Sequence, residues 1–187
     1  MITPNPIVLL VDDSDNDGRL MRIIFERAGF TQPLCCVGDG VEAIDYLRGD
    51  GIYADRAKFP LPTVMLLDLN MPRKDGFEVL GWIRLQPELK RLRVYILSSS
   101  SRPEDIRRCY DLGANAYLIK PSNLDGLTEL AKTLGAWLKL THGAPLTPAM
   151  EGRLIMGPPR ASALAAPVLI PALIGEEGRP NIRGRQS

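Results

Sequence analysis

The sequence predicts an α/β fold, a doubly wound five-stranded parallel sheet with five helices. Five short apolar runs, four or five residues each, alternate with segments of helical periodicity. The runs are continuously apolar rather than alternating, as strands buried on both faces are. All 11 aromatic residues precede residue 138, the last being Trp137, so the core-building part of the 187-residue chain is expected to end near there.

The first strand is predicted over Ile7 to Val11, and the first helix runs from Asp15 to Ala28, stopped by Gly29. Leu34 to Val37 reads as the second strand and Val41 to Leu47 as the second helix. The connection that follows, Gly49 to Pro62, is long beside the usual two to six residues or so. Val64 to Leu67 and Phe77 to Leu85 make the third pair, with Trp82 on that helix placed beside the site loop. Val94 to Leu97 leads to a helix capped by Ser101 with Glu104 and closed near Gly113. Ala116 to Ile119 leads to the clearest helix, in which Leu124, Leu127, Ala131, Leu134 and Leu138 form one stripe behind a Ser122 and Asp125 cap.

Composition narrows the function. A formal net charge of +1 suggests neither a nucleic-acid nor a membrane-surface partner. No apolar stretch reaches the roughly 18 residues of a membrane span. The start, "MITPNPIV", lacks a secretion signal's layout, so a cytoplasmic location is expected. Cys35, Cys36 and Cys109 lie in apolar contexts without metal-like spacing and read as reduced core or near-core thiols. Residues 1–143 are expected to form the domain. The segment 144–187 has no aromatic residue and holds seven of the 16 prolines, so it is expected to be a disordered tail. Its apolar stretch Ala163 to Gly175 is interrupted by Pro167 and Pro171.

Open parallel sheets place their ligand sites at the carboxyl ends of the strands. The first strand ends in Asp12 and Asp13, the third in Asp68, the fourth in Ser98 and the fifth in Lys120. Adjacent carboxylates repel, so a positive partner is required, and Lys120 with a divalent cation would supply it. Three carboxylates without histidine suit a hard, oxygen-seeking ion, Mg²⁺ above all. A carboxylate can attack phosphorus to give an acyl phosphate, with a metal, an ammonium and a hydroxyl sharing the charge. Each residue alone reads as a cap, a turn former or a solvated loop residue; the functional reading rests on their joint placement at four strand ends.

These residues resemble the receiver domain of two-component response regulators, the family that includes the bacterial chemotaxis regulator. The resemblance covers about residues 5 to 140 and rests on "VDD" (Val11 to Asp13), "DLNMPRKDG" (Asp68 to Gly76), Ser98 and "KP" (Lys120, Pro121), at intervals of 30 and 22 residues from Asp68 to Ser98 to Lys120. It implies a flavodoxin-like strand order of 2-1-3-4-5, with Asp68 as phosphoacceptor. Asp13, the Asn70 backbone carbonyl and Asp68 would hold Mg²⁺, with Asp12 helping through water or completing the pocket. Lys120 would pair with the phosphoryl oxygens, and the Lys120–Pro121 bond would be cis. Ser98 would donate to the phosphoryl group and, by moving, make room for the switch residue Tyr117. Ser98 stands where the family more commonly has Thr, which keeps the hydroxyl.

The implied partner is a sensor histidine kinase. The long Gly49 to Pro62 connection, with "LSSSSRPEDI", is similar to receiver-only regulators serving phytochrome-class kinases. The fourth helix, fifth strand and fifth helix would form a phosphorylation-dependent face for partners or a homodimer. Haloacid dehalogenase-like phosphatases share the nucleophilic Asp but need a second Asp two positions later, where this chain has Asn70. A pseudo-receiver is disfavoured by the intact five-residue site. The protein is expected to assist its own Mg²⁺-dependent phosphorylation and dephosphorylation without being a kinase, since its single histidine, His142, accompanies no ATP-binding pattern.

Overall fold

The computed structural model describes residues 7–30, 33–140, 154–156 and 167–169. Strand β1 (Val8–Val11) lies between β2 (Leu34–Val37) and β3 (Val64–Leu67), and β4 (Arg93–Ser98) and β5 (Ala116–Ile119) continue the sheet, all in parallel. The register brings Val11 level with Leu67, Leu67 with Ile96, and Ser98 with Ile119. The strand order 2-1-3-4-5 is the one anticipated.

Strand alternation divides the core. Val8, Leu10, Leu66, Tyr95 and Leu118 face α1 (Asp15–Arg27) and α5 (Leu124–Leu140), meeting Phe25, Leu130 and Leu134. Leu9, Val11, Met65, Leu67, Ile96 and Tyr117 point the other way, onto α2 (Gly40–Arg48), α3 (Gly76–Leu85) and α4 (Pro103–Leu112). The central strands are therefore buried on both faces, which is why their sequences lack alternation. Leu138, the end of the predicted stripe, lies outside the described side chains, and His142 outside the described residues.

Four local expectations need correction. Helix α4 starts on Pro103 with Arg102 as its cap residue and no side-chain cap, because proline's fixed φ suits the first helical position. Helix α5 is capped by Asn123, whose Oδ1 accepts from the Gly126 amide at 2.7 Å, rather than by Ser122. Cys36 is exposed, since β2 is the outer strand on its side. Two three-residue strands, β6 (Leu154–Met156) and β7 (Pro167–Leu169), form an antiparallel pair within the expected tail, and β7 lies parallel to β5 at Leu118. The outer edge of β5 offers unpaired backbone groups to such a segment. The rest of 144–187 lies outside the described residues.

The long connection after α2 is built rather than loose. A 3-10 turn over Gly51–Ala54 brings Tyr53 against Tyr46, ring centroids 5.0 Å apart, and against Phe59 at 5.1 Å. The Arg56 guanidinium donates to the carbonyls of Tyr46 (2.8 Å), Leu47 (2.8 Å) and Phe59 (3.2 Å), satisfying the open end of α2. Arg56→Ala is therefore expected to lower the unfolding free energy by about 1–2 kcal/mol, as charged hydrogen bonds of this kind contribute. Urea melts check this; an unchanged midpoint would show the connection to be dispensable. Among the described residues, no helix is long and apolar enough to cross a membrane.

Candidate functional site

The register assembles the site. The Asp68 amide donates to the Val11 carbonyl at 3.0 Å, which sets Asp68 beside Asp12 at the ends of β3 and β1. The Lys120 amide donates to the Ser98 carbonyl at 2.8 Å, closing β5 against β4. One carboxylate oxygen each from Asp12, Asp13 and Asp68 lies within 4.8 Å of the others. Asp12 and Asp68 are buried, Ser98 is fully buried and Asp13 is exposed, so the cluster opens to solvent on the Asp13 side.

The loop after β3 holds Asp68 from beneath. Its Oδ1 accepts from the amides of Leu69 (2.6 Å) and Asn70 (3.2 Å), leaving Oδ2 toward Lys120. Gly76 allows this loop to fold back: a Cβ there would stand 2.3 Å from the Asp68 carbonyl oxygen. Within the loop Arg73 takes a positive φ of 65° and its guanidinium pairs with the buried Asp39 carboxylate at the start of α2. Burial pushes the Asp68 carboxyl above the usual carboxylate range; the Asn70 amide and the Lys120 charge oppose that shift and the Asp12 charge adds to it.

Lys120 is half-buried and its Nζ sits 2.7 Å from Asp12 Oδ2, 2.8 Å from Asp17 Oδ2 and 3.8 Å from Asp68 Oδ2. Burial opposes its charge, but the hydrogen bonds it donates to Asp12 and Asp17 prevail and raise its pKa. Asp17 is the residue that sequence reasoning missed. It stands in the first turn of α1, its amide capped by Ser14 Oγ at 3.1 Å, and an acidic residue there reads as ordinary capping. A further clue was its place four residues after Asp13, on a helix leaving the site.

The β4–α4 loop extends the site toward the fourth helix. Ser98 Oγ accepts from the Ser100 amide at 3.3 Å, and Ser100 Oγ donates to Asp105 Oδ2 at 2.6 Å, which also accepts from Arg102. Tyr117 was expected to enter space vacated by Ser98. Its ring is already fully buried among α2–α4 side chains, and its hydroxyl donates to the Ser100 carbonyl at 2.9 Å. The implied cis Lys120–Pro121 bond is also corrected: no described peptide bond is cis, consistent with the ordinary trans preference. Trp82, expected beside the site loop, packs under Arg48 at 5.2 Å, about 9 Å of helix rise beyond Gly76.

The profile of the family "Response regulator receiver domain" matches residues 8–132. The chain belongs to the response regulator receiver family. It is 36% identical over 137 residues to the response regulator Rcp1 of Synechocystis, covering 73% of this chain and 91% of Rcp1. The phosphorylated cyanobacterial phytochrome response regulator RcpA superposes with a TM-score of 0.67 at 38% identity, over 73% of this chain and 96% of that one. The Mn²⁺-bound form of Rcp1 superposes at 0.64 with 36% identity, over 72% and 95%. This receiver domain thus works in two-component phosphorelay signalling, with a histidine kinase as partner, and is not a kinase. Receiver domains bind a divalent cation, and the all-oxygen donor set of Asp12, Asp13 and Asp68 fits one.

Proposed function

We propose that Asp68 is the phosphoacceptor and that residues 1–143 form the phosphorylated unit. The observation that carries this reading is the division of labour at Asp68. Two amides occupy Oδ1, while Oδ2 faces Lys120 inside the carboxylate cluster. Oδ2 attacks phosphorus as the bond to the donor histidine nitrogen breaks, and the imidazole retains that electron pair. Asp13, Asp68 and the Asn70 carbonyl would hold Mg²⁺, with Asp12 completing the pocket. When bound, the cation offsets charge on the carboxylates and phosphoryl oxygens. Lys120 donates to the phosphoryl group from one side, and the Ser98 hydroxyl does so from the β4 end. The same groups assist hydrolysis of the acyl phosphate.

The protein is cytoplasmic, a reading supported by its three free thiols, and the donor is a histidine kinase of the phytochrome class, a reading supported by the name of RcpA. The response is carried by α4, β5 and α5. Ser98, Ser100, Asp105 and Tyr117 already form one hydrogen-bonded chain from the site to α4. Ser98 and Tyr117 are the switch residues: the phosphoryl group draws the Ser98 hydroxyl toward it, and the buried Tyr117 ring packs into the space that Ser98 leaves. This face binds a partner or a second copy of the chain; no nucleic acid or membrane takes part.

Incubation with acetyl phosphate and Mg²⁺ should add one base-labile phosphoryl group, and none when Mg²⁺ is chelated beforehand; no labelling with Mg²⁺ would overturn the proposal. Asp13→Ala should weaken Mg²⁺ binding about tenfold, or roughly 1.4 kcal/mol, in calorimetric titration. An unchanged affinity would remove Asp13 from the ligand set. Sedimentation with and without beryllofluoride tests the output face, which loses support if neither self-association nor partner affinity responds.

A further inference from the structure

Lys120 is shared unequally among three carboxylates: its ammonium hydrogen-bonds Asp12 and Asp17 but stands 3.8 Å from Asp68. Asp17 reaches it from α1 across 103 residues of sequence, with a half-exposed side chain that is not part of the Asp12, Asp13 and Asp68 cluster. The ammonium best placed to meet a group on Asp68 is therefore tethered by a carboxylate with no place in the cation pocket. We propose that Asp17 is a positioning residue that competes with the phosphoryl group for Lys120, biasing the domain toward its unphosphorylated form and holding the ammonium off Asp68.

The inference rests on the reading of Asp68 as phosphoacceptor, and it has two consequences of opposite sign. Without the Asp17 charge, the ammonium is left to Asp12 and Asp68, lies deeper among the carboxylates and opposes an incoming cation. With the cation in place and a phosphoryl mimic on Asp68, the same freed ammonium engages the mimic without a competitor. A side chain that merely supported the fold would weaken both binding events on removal.

Calorimetry on the full chain separates these cases, first with Mg²⁺ alone and then with beryllofluoride at saturating Mg²⁺. Asp17→Asn should weaken Mg²⁺ binding about threefold and tighten beryllofluoride binding about three- to tenfold, the range open to a partly exposed ion pair with a second competitor. Asp17→Glu, which keeps the charge, should stay within about twofold of the wild type for both. In a Lys120→Met background the effect of Asp17→Asn on beryllofluoride should shrink below about twofold, because the coupling runs through the ammonium. Affinities that fall together, that do not change, or that shift equally in the Lys120→Met background overturn the competition. Failure of the wild type to bind beryllofluoride with Mg²⁺ overturns the phosphoacceptor reading instead.

Discussion

Asp68→Asn abolishes acyl-phosphate labelling and, in metal-free buffer at neutral pH, raises the unfolding free energy by about 1–2 kcal/mol. The first effect follows because an amide oxygen is a poor nucleophile and its phosphoryl adduct has no stable counterpart. The second follows from the buried position of the carboxylate beside Asp12, which lifts its pKa in the folded protein. An acid whose pKa is raised on folding holds more protons folded than unfolded between the two values, so stability falls as pH rises through that window. The wild type therefore loses stability from about pH 4 upward relative to Asp68→Asn, and the two converge below that value, where Asp68 is protonated in both states. Mg²⁺ narrows the gap at neutral pH by stabilising the wild-type carboxylate cluster. Urea unfolding at several pH values, with and without Mg²⁺, gives the result. A variant less stable than the wild type at neutral pH would show that the Lys120 attraction outweighs burial.

Lys120→Met has the opposite effect, a loss of about 2–4 kcal/mol at neutral pH in the absence of a divalent cation. Methionine keeps much of the lysine stem's packing and removes only the charge and its donors. Asp12 is almost wholly buried and loses its one cationic hydrogen-bond donor among the described residues, and Asp68 loses the positive charge 3.8 Å away. Lysine's pKa is raised in the folded protein, so its contribution is complete below the ordinary lysine value and disappears only as pH rises through the higher folded value. The deficit should also shrink as pH falls and the Asp68 carboxyl, whose folded pKa is raised by burial, takes up its proton and needs no partner. Phosphorylation from acetyl phosphate should slow, and phosphorylation-dependent association should be lost. The test pairs denaturation with sedimentation. A variant as stable as the wild type, with intact association, would remove Lys120 from both roles.

The parts of this protein legible in its sequence are those governed by short-range physics. Continuous apolar runs such as "VLLV" can be buried on both faces only in a covered parallel sheet, and their polar terminators must then gather at its carboxyl edge. Asp12, Asp13, Asp68, Ser98 and Lys120 could be placed in this way because each ends a strand or lies within two residues after one. Asp17 could not, because its role depends on α1 leaving β1 at the angle that brings its carboxylate to a lysine 103 residues away. The choice of Asn123 over Ser122 as the α5 cap depends on where the chain turns after Lys120, and two suitable residues lay side by side in sequence. The packing of the connection after α2 was not legible because its two aromatic side chains meet Tyr46, and Arg56 meets the open carbonyls of α2, only after α2 has formed. Burial of the Tyr117 ring was likewise settled by packing: β5 points it into the α2–α4 core, where the Ser100 carbonyl accepts its hydroxyl. Strand ends follow from local pattern, whereas ion pairs, caps and ring positions depend on which distant groups the fold brings within about 3 Å.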